Sequence, residues 1–109
     1  MCFVAAAAML FAACGKGEED PTVYGTWQLV SYESNGNNYT ANATWVFGQD
    51  GVITMTTGGI ASSGTFTVDG SKMTWDFGYG VEELTIVTLT ASELELFNKK
   101  SSTTYHLQR

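Results

Sequence analysis

The chain has 109 residues, room for one ordinary domain and too few for a doubly wound dinucleotide fold or a large barrel enzyme. Five Lys and Arg against eleven Asp and Glu leave a net charge of −6, which argues against nucleic acid as a partner, because phosphate neutralisation supplies most of that affinity. Hydrophobic residues make up 44% of the chain, and they are unevenly spread.

The first segment, residues 1–13, reads MCFVAAAAMLFAA and contains no charged residue. It is too short to span a bilayer comfortably, since a spanning helix needs roughly 20 apolar residues. It fits the apolar stretch of a secretory signal, with Ala12-Ala13 as the small residues before a cleavage point. No basic residue precedes the run, so the start is expected to lie upstream of Met1, or the sequence is a fragment. Leu10-Phe11-Ala12-Ala13-Cys14 resembles the lipobox of bacterial lipoproteins. That resemblance implies cleavage before Cys14, a diacylglycerol thioether on its sulfur and a membrane anchor of several acyl chains, which together hold stably where one does not. Cys2 is then removed with the leader, and the mature chain has no disulfide.

Residues 14–22 follow as the lipidated Cys and a flexible acidic tether, with Glu18-Glu19-Asp20 at its centre. The acidic cluster resembles the export signal of surface lipoproteins in Bacteroidetes; the plain alternative is a solvated spacer.

Residues 23–109 are expected to form one all-β domain. Short alternating runs recur about every ten residues, separated by turn signals. The predicted strands are Tyr24 to Tyr32, Tyr39 to Phe47, Val52 to Thr57, Thr65 to Val68, Lys72 to Phe77, Glu82 to Leu89, Leu94 to Asn98 and Thr103 to Gln108. Asn35-Gly36 marks the first turn. Asp50-Gly51 and Asp69-Gly70 are expected to be hairpin turns with positive φ at both residues. Gly58-Gly59 and Ser62-Ser63-Gly64 bracket an expected loop. Thr90-Ala91-Ser92-Glu93 fits a helix capping box, but the period-two run after it predicts a tight turn and then a strand. Eight strands in an up-and-down path suit an antiparallel barrel, whose closure removes exposed edges; a β-sandwich is the alternative.

The order of these parts resembles the lipocalin-like domains of Bacteroidetes lipoproteins. The resemblance is carried by Gly25-Thr26-Trp27-Gln28-Leu29, by Phe47 followed by Asp50-Gly51, by Gly64, Phe66, Val68 and Gly70 leading to Met73 and Trp75, and by Leu84 to Thr90 with the closing Tyr105 to Arg109. It implies a lipocalin-like barrel on a lipid-anchored protein of the bacterial outer membrane, facing the periplasm or the cell surface. The terminal helix of classical lipocalins is not read here, so any enclosed cavity is expected to be small.

No catalytic set assembles. His106, the single His, lies on the face opposite to Tyr105 and Leu107 and is expected in solvent, without a nucleophile partner. Glu82 and Glu83 are adjacent, so a strand sends them to opposite faces and they cannot pair as glycosidase carboxylates do. No metal-ligand or phosphate-loop pattern appears, and no cofactor is expected. Trp27, Leu29, Trp45, Phe47, Met55, Phe66, Met73 and Trp75 are the candidate interior residues. They either fill a small barrel or line a pocket for an apolar ligand, with the Met side chains adapting to its shape. Tyr79, between two glycines, is the candidate surface contact for a glycan or protein. The expected function is noncatalytic binding of a small apolar ligand or an envelope partner by a monomer. The alternatives are an interaction accessory with a filled core and a barrel-type protease inhibitor.

Overall fold

Residues 21–109 are described by a computed structural model. The expectations for the leader, Cys14 and most of the tether fall on residues 1–20 and lie outside the described residues.

Among the described residues, alternation of apolar and polar residues produces eight strands: β1 (Gly25–Ser34), β2 (Asn37–Phe47), β3 (Val52–Thr57), β4 (Ile60–Asp69), β5 (Lys72–Asp76), β6 (Val81–Leu89), β7 (Glu93–Asn98) and β8 (Thr103–Gln108). Each pairs antiparallel with the next, and β8 returns to pair with β1, so the sheet closes into a barrel in sequence order. The barrel, and not the sandwich, is the architecture. A shared bulge of register between Leu29 and Ser31 lets β1 bend against both of its neighbours. A second lies between Ile86 and Thr88 on β6.

The turns follow backbone chemistry more closely than the dipeptides alone suggest. Asn35 and Gly36 both take positive φ (54° and 84°), as a tight hairpin connecting Ser34 to Asn37 requires. At Asp50-Gly51 only the glycine is left-handed (φ 85°). Asp50 instead spends its carboxylate on the Val52 N–H at 3.1 Å, and Gly51 N–H closes the turn on the Gly48 carbonyl at 3.0 Å. Asp69 pairs with Lys72 as the last rung of its hairpin, so the two loop residues are Gly70 and Ser71, with Gly70 alone at positive φ.

The expected loop over residues 58–64 is corrected. Gly58 and Gly59 form a two-residue turn with both φ positive, and β4 begins at once, pairing Ile60 with Thr57 and running through Ser62, Ser63 and Gly64. Small polar residues there hide the strand from a hydrophobic pattern, and at Gly64 the small size has a steric cause. A Cβ at Gly64 would collide with the Asp76 carbonyl and stand 2.9 Å from the Phe77 ring. The capping box is half formed: Thr90 Oγ1 accepts from the Ser92 and Glu93 N–H groups, but Thr90 N–H bonds the Glu93 carbonyl and the chain turns into β7.

The barrel interior holds one core. Trp27, Phe47, Ile53, Met73, Leu94, Leu96 and Leu107 are almost fully buried, joined by Val23, Leu29, Ala43, Trp45, Phe66, Trp75 and Leu84. Each large apolar side chain so buried contributes about 1.5–3 kcal/mol over leaving it in water.

Candidate functional site at the open end of the barrel

The two ends of the barrel differ. One end receives the N-terminal segment and the C-terminus. There Val23 is buried, and its carbonyl accepts the Trp27 Nε1–H at 2.8 Å. The Arg109 guanidinium lies 3.9 Å over the Trp27 ring and donates to the carbonyls of Thr22 (2.9 Å), Tyr24 (2.8 Å) and Ala91 (3.0 Å). This end is sealed.

The opposite end carries the turns at Asn35-Gly36, Gly58-Gly59, Gly78 to Gly80 and Lys99 to Ser102. Below it, Trp45, Trp75 and Tyr105 pack against one another with ring centroids 5.2–6.0 Å apart and fill the middle of the barrel. Above that floor the inward positions become small or only half-buried: Ala41, Met55, Ser62 and Gly64 on one side, Tyr32 on the other. Tyr32 stacks on Tyr39 with centroids 5.1 Å apart. A solvent-open cleft of about 770 Å³ is lined by Met55, Thr57, Ile60, Ser62, Phe77 and Tyr79. A smaller one of about 130 Å³ lies between Trp75, Phe77, Tyr79, Glu82 and Lys100. Tyr79, 97% exposed between Gly78 and Gly80 at positive φ, stands where the two clefts meet.

Glu82 is the charged side chain of this end that turns inward. On β6 it shares the inner face with Leu84, while Glu83 faces out and pairs with Lys72 at 3.3 Å. Its Oε1 accepts from Trp75 Nε1 at 3.0 Å and from Asn98 Nδ2 at 3.1 Å. Asn98 is itself buried and held by its own turn, its Oδ1 accepting from the N–H groups of Lys100 and Ser101. Burial, then the charge of Glu82, then Tyr32, push the Tyr105 phenol above its usual pKa of 10.0.

The predicted interior residues therefore separate by depth. Trp27, Phe47, Phe66 and Met73 seal and fill the closed end, and Leu29 is buried beside them, so none of these touches a cleft. Trp45 and Trp75 form the floor, and Trp75 with Met55 reaches the clefts. Glu82, Phe77 and Tyr105 were missed as site residues. The signal for Glu82 was available: with Leu84 placed inside, alternation puts residue 82 inside too.

His106 faces outward as expected, but it is not simply solvated. Its Nδ1 lies 3.1 Å from Glu95 and its Nε2 3.6 Å from Glu33, across three strands of the outer face. Among the described residues no group of three or more His, Cys, Asp or Glu is placed to hold a metal ion.

The sequence pattern of the lipocalin-like domain family matches residues 23–96, well over half of the chain. The chain belongs to the lipocalin-like domain family. The fold agrees with it. A crystal structure of a lipocalin-like protein from Bacteroides uniformis superposes with a TM-score of 0.64, covering 80% of this chain and 97% of that one at 18% identity. No curated protein matches the chain. The family pattern ends at residue 96, so it leaves out β8, the strand through which this lipocalin-like barrel closes.

Proposed function

We propose that this lipocalin-like domain is a noncatalytic binding module of a bacterial outer membrane, tethered by lipid on Cys14, that takes a small, largely apolar ligand at its open end. The observation that carries the reading is the contrast between the two ends. One is sealed by Val23, Trp27 and Arg109; the other opens into clefts above an aromatic floor. Sites of this kind combine apolar and aromatic walls with few polar groups. The filled middle of the barrel favours a ligand at the mouth over one in a deep calyx. The described chain enters at the sealed end, so the mouth lies at the end of the barrel away from the point where a tether from Cys14 would join.

Tryptophan fluorescence titrated with fatty acids, haem-like compounds and small aromatics tests the binding role. At least one class is expected to perturb the Trp75 environment, and Ser62→Phe, which fills the larger cleft from an exposed position, is expected to abolish the response without lowering stability. A flat response across the panel would remove the ligand reading. The anchor has its own check: Cys14→Ala should end labelling by radioactive palmitate, and continued labelling would disprove it.

A second reading, contact with an envelope protein or glycan, is favoured by one observation. Tyr79, Ile60 and Val81 leave an exposed apolar rim around the mouth, at 97%, 74% and 65% exposure. Cross-linking from position 79 in envelope preparations would trap a partner under that reading and nothing specific without it.

A further inference from the structure

The Glu82 carboxylate is set into the open end in a way that core filling does not require. A side chain needed only for packing would be apolar, and a carboxylate turned toward a barrel interior costs desolvation unless it is partnered. Here one oxygen is fully used and the other is not. Oε1 takes both hydrogen bonds, from Trp75 and from Asn98. Oε2 has no partner among the described residues, and because no buried side-chain oxygen there lacks one, it is not fully buried, in a residue that lines the smaller cleft.

The carboxylate is also held in place. Asn98 is 2% exposed and locked by two N–H groups of the turn after β7, so the donor that orients Glu82 cannot swing away. Such fixing lowers the ordering cost of binding. The same cleft is lined by Trp75, Phe77 and Tyr79. An acidic group in an aromatic-lined cleft favours positive charge that is weakly hydrated, as aromatic cages do when they take quaternary ammonium groups. Lys100 lines the same cleft but makes no ion pair with Glu82 among the described residues. The net charge of −6 draws cations toward the protein.

We propose that the smaller cleft at the barrel mouth is a site for an organic cation, an amine or quaternary ammonium head, with Glu82 as its counter-ion and the apolar part of the ligand lying in the larger cleft. The assignment rests on the mouth being the binding site, and the two stand or fall separately in one experiment. Benzyltrimethylammonium, its neutral isostere neopentylbenzene and its anionic analogue phenylmethanesulfonate are titrated into the protein by calorimetry and by tryptophan fluorescence. The cation is expected to bind about tenfold more tightly than either analogue, a preference that shrinks with added salt. Glu82→Gln keeps an acceptor for Trp75 and Asn98, so it is expected to fold. It should weaken the cation about tenfold and leave the neutral isostere within about twofold. Lys100→Gln is expected to tighten the cation.

Equal binding of cation and neutral isostere would overturn the cation assignment while leaving the mouth reading intact. Tighter binding of the sulfonate would overturn it in favour of Lys100 as the charged partner. No binding by any of the three, with Trp75 emission unmoved, would overturn the assignment and count against the mouth reading as well. Should Glu82→Gln prove unfolded, the wild-type preference among the three probes and its salt dependence decide the matter alone.

Discussion

At the scale of single residues, Glu82 and Tyr105 report on each other. Tyr105 is half-buried under the mouth, and desolvation is the first cause of its raised pKa, with the Glu82 charge second. The unfolded chain ionises this phenol near about 10, while the native state holds the proton to higher pH. Between those two values the unfolded state carries fewer protons, so stability falls as pH rises; below them the contribution is intact. Tyr105→Phe removes the group and is expected to make the alkaline loss of stability shallower, read as urea midpoints across the alkaline range. Glu82→Gln is expected to lower the Tyr105 pKa only part of the way, because burial remains, and an ultraviolet titration of tyrosinate reads that directly. Residues of this kind explain what the sequence conceals. The aromatic candidates were visible by alternation, but the separation of Trp27 from Trp75, sealing end from mouth, depends on barrel closure. The inward turn of Glu82 follows from alternation with Leu84, but the two donors that satisfy it, Trp75 and Asn98, come together only in the closed barrel.

At the scale of elements, strands with strong apolar alternation were legible and the one without it was not. β2, with Trp45 and Phe47 on one face, and β7, with Leu94 and Leu96, follow the period-two rule. The first half of β4 does not, because Ile60 and Ser62 line an open mouth and Gly64 packs closely under Phe77. The absence of a pattern there marks the site itself. Gly64 is the position where this matters most for folding, since the Asp76 backbone and the Phe77 ring occupy the space of a Cβ. Backbone cannot yield as the tip of a flexible side chain can. Gly64→Ala is therefore expected to cost about 1–3 kcal/mol and to shift Phe77 at the cleft. Ser62→Ala, two residues away and exposed, should stay within about 0.5 kcal/mol. Denaturant midpoints of the two variants make the comparison, and equal midpoints would show that β5 can move away from β4 without loss.

At the scale of the whole molecule, the barrel is an up-and-down chain whose first and last strands must find each other across the full sequence, and Arg109 completes that closure. The β1–β8 pairing runs from Gln28 with Gln108 to Ser34 with Thr103. Arg109, the next residue, crosses the sealed end and ties three separate segments: the N-terminal approach through Thr22 and Tyr24, the β6–β7 turn through Ala91, and the Trp27 ring beneath it. The guanidinium fork reaches all three carbonyls at once because its donors lie in one plane and its face stacks on the indole. A lysine has one ammonium and no such plane. Arg109→Ala is expected to destabilise the domain by about 1–3 kcal/mol, since each exposed charge-assisted bond contributes modestly and the stacking adds about 0.5–1 kcal/mol. Arg109→Lys should recover only a minor part. Because the ties join the ends of one cooperative barrel, thermal midpoints are expected to fall by several degrees in a single transition, at roughly 4–8 °C per kcal/mol for a domain of this size. If the lysine variant instead matched the wild type, the fork would not be what holds the sealed end, and the packing of Val23 and Trp27 alone would have to close it.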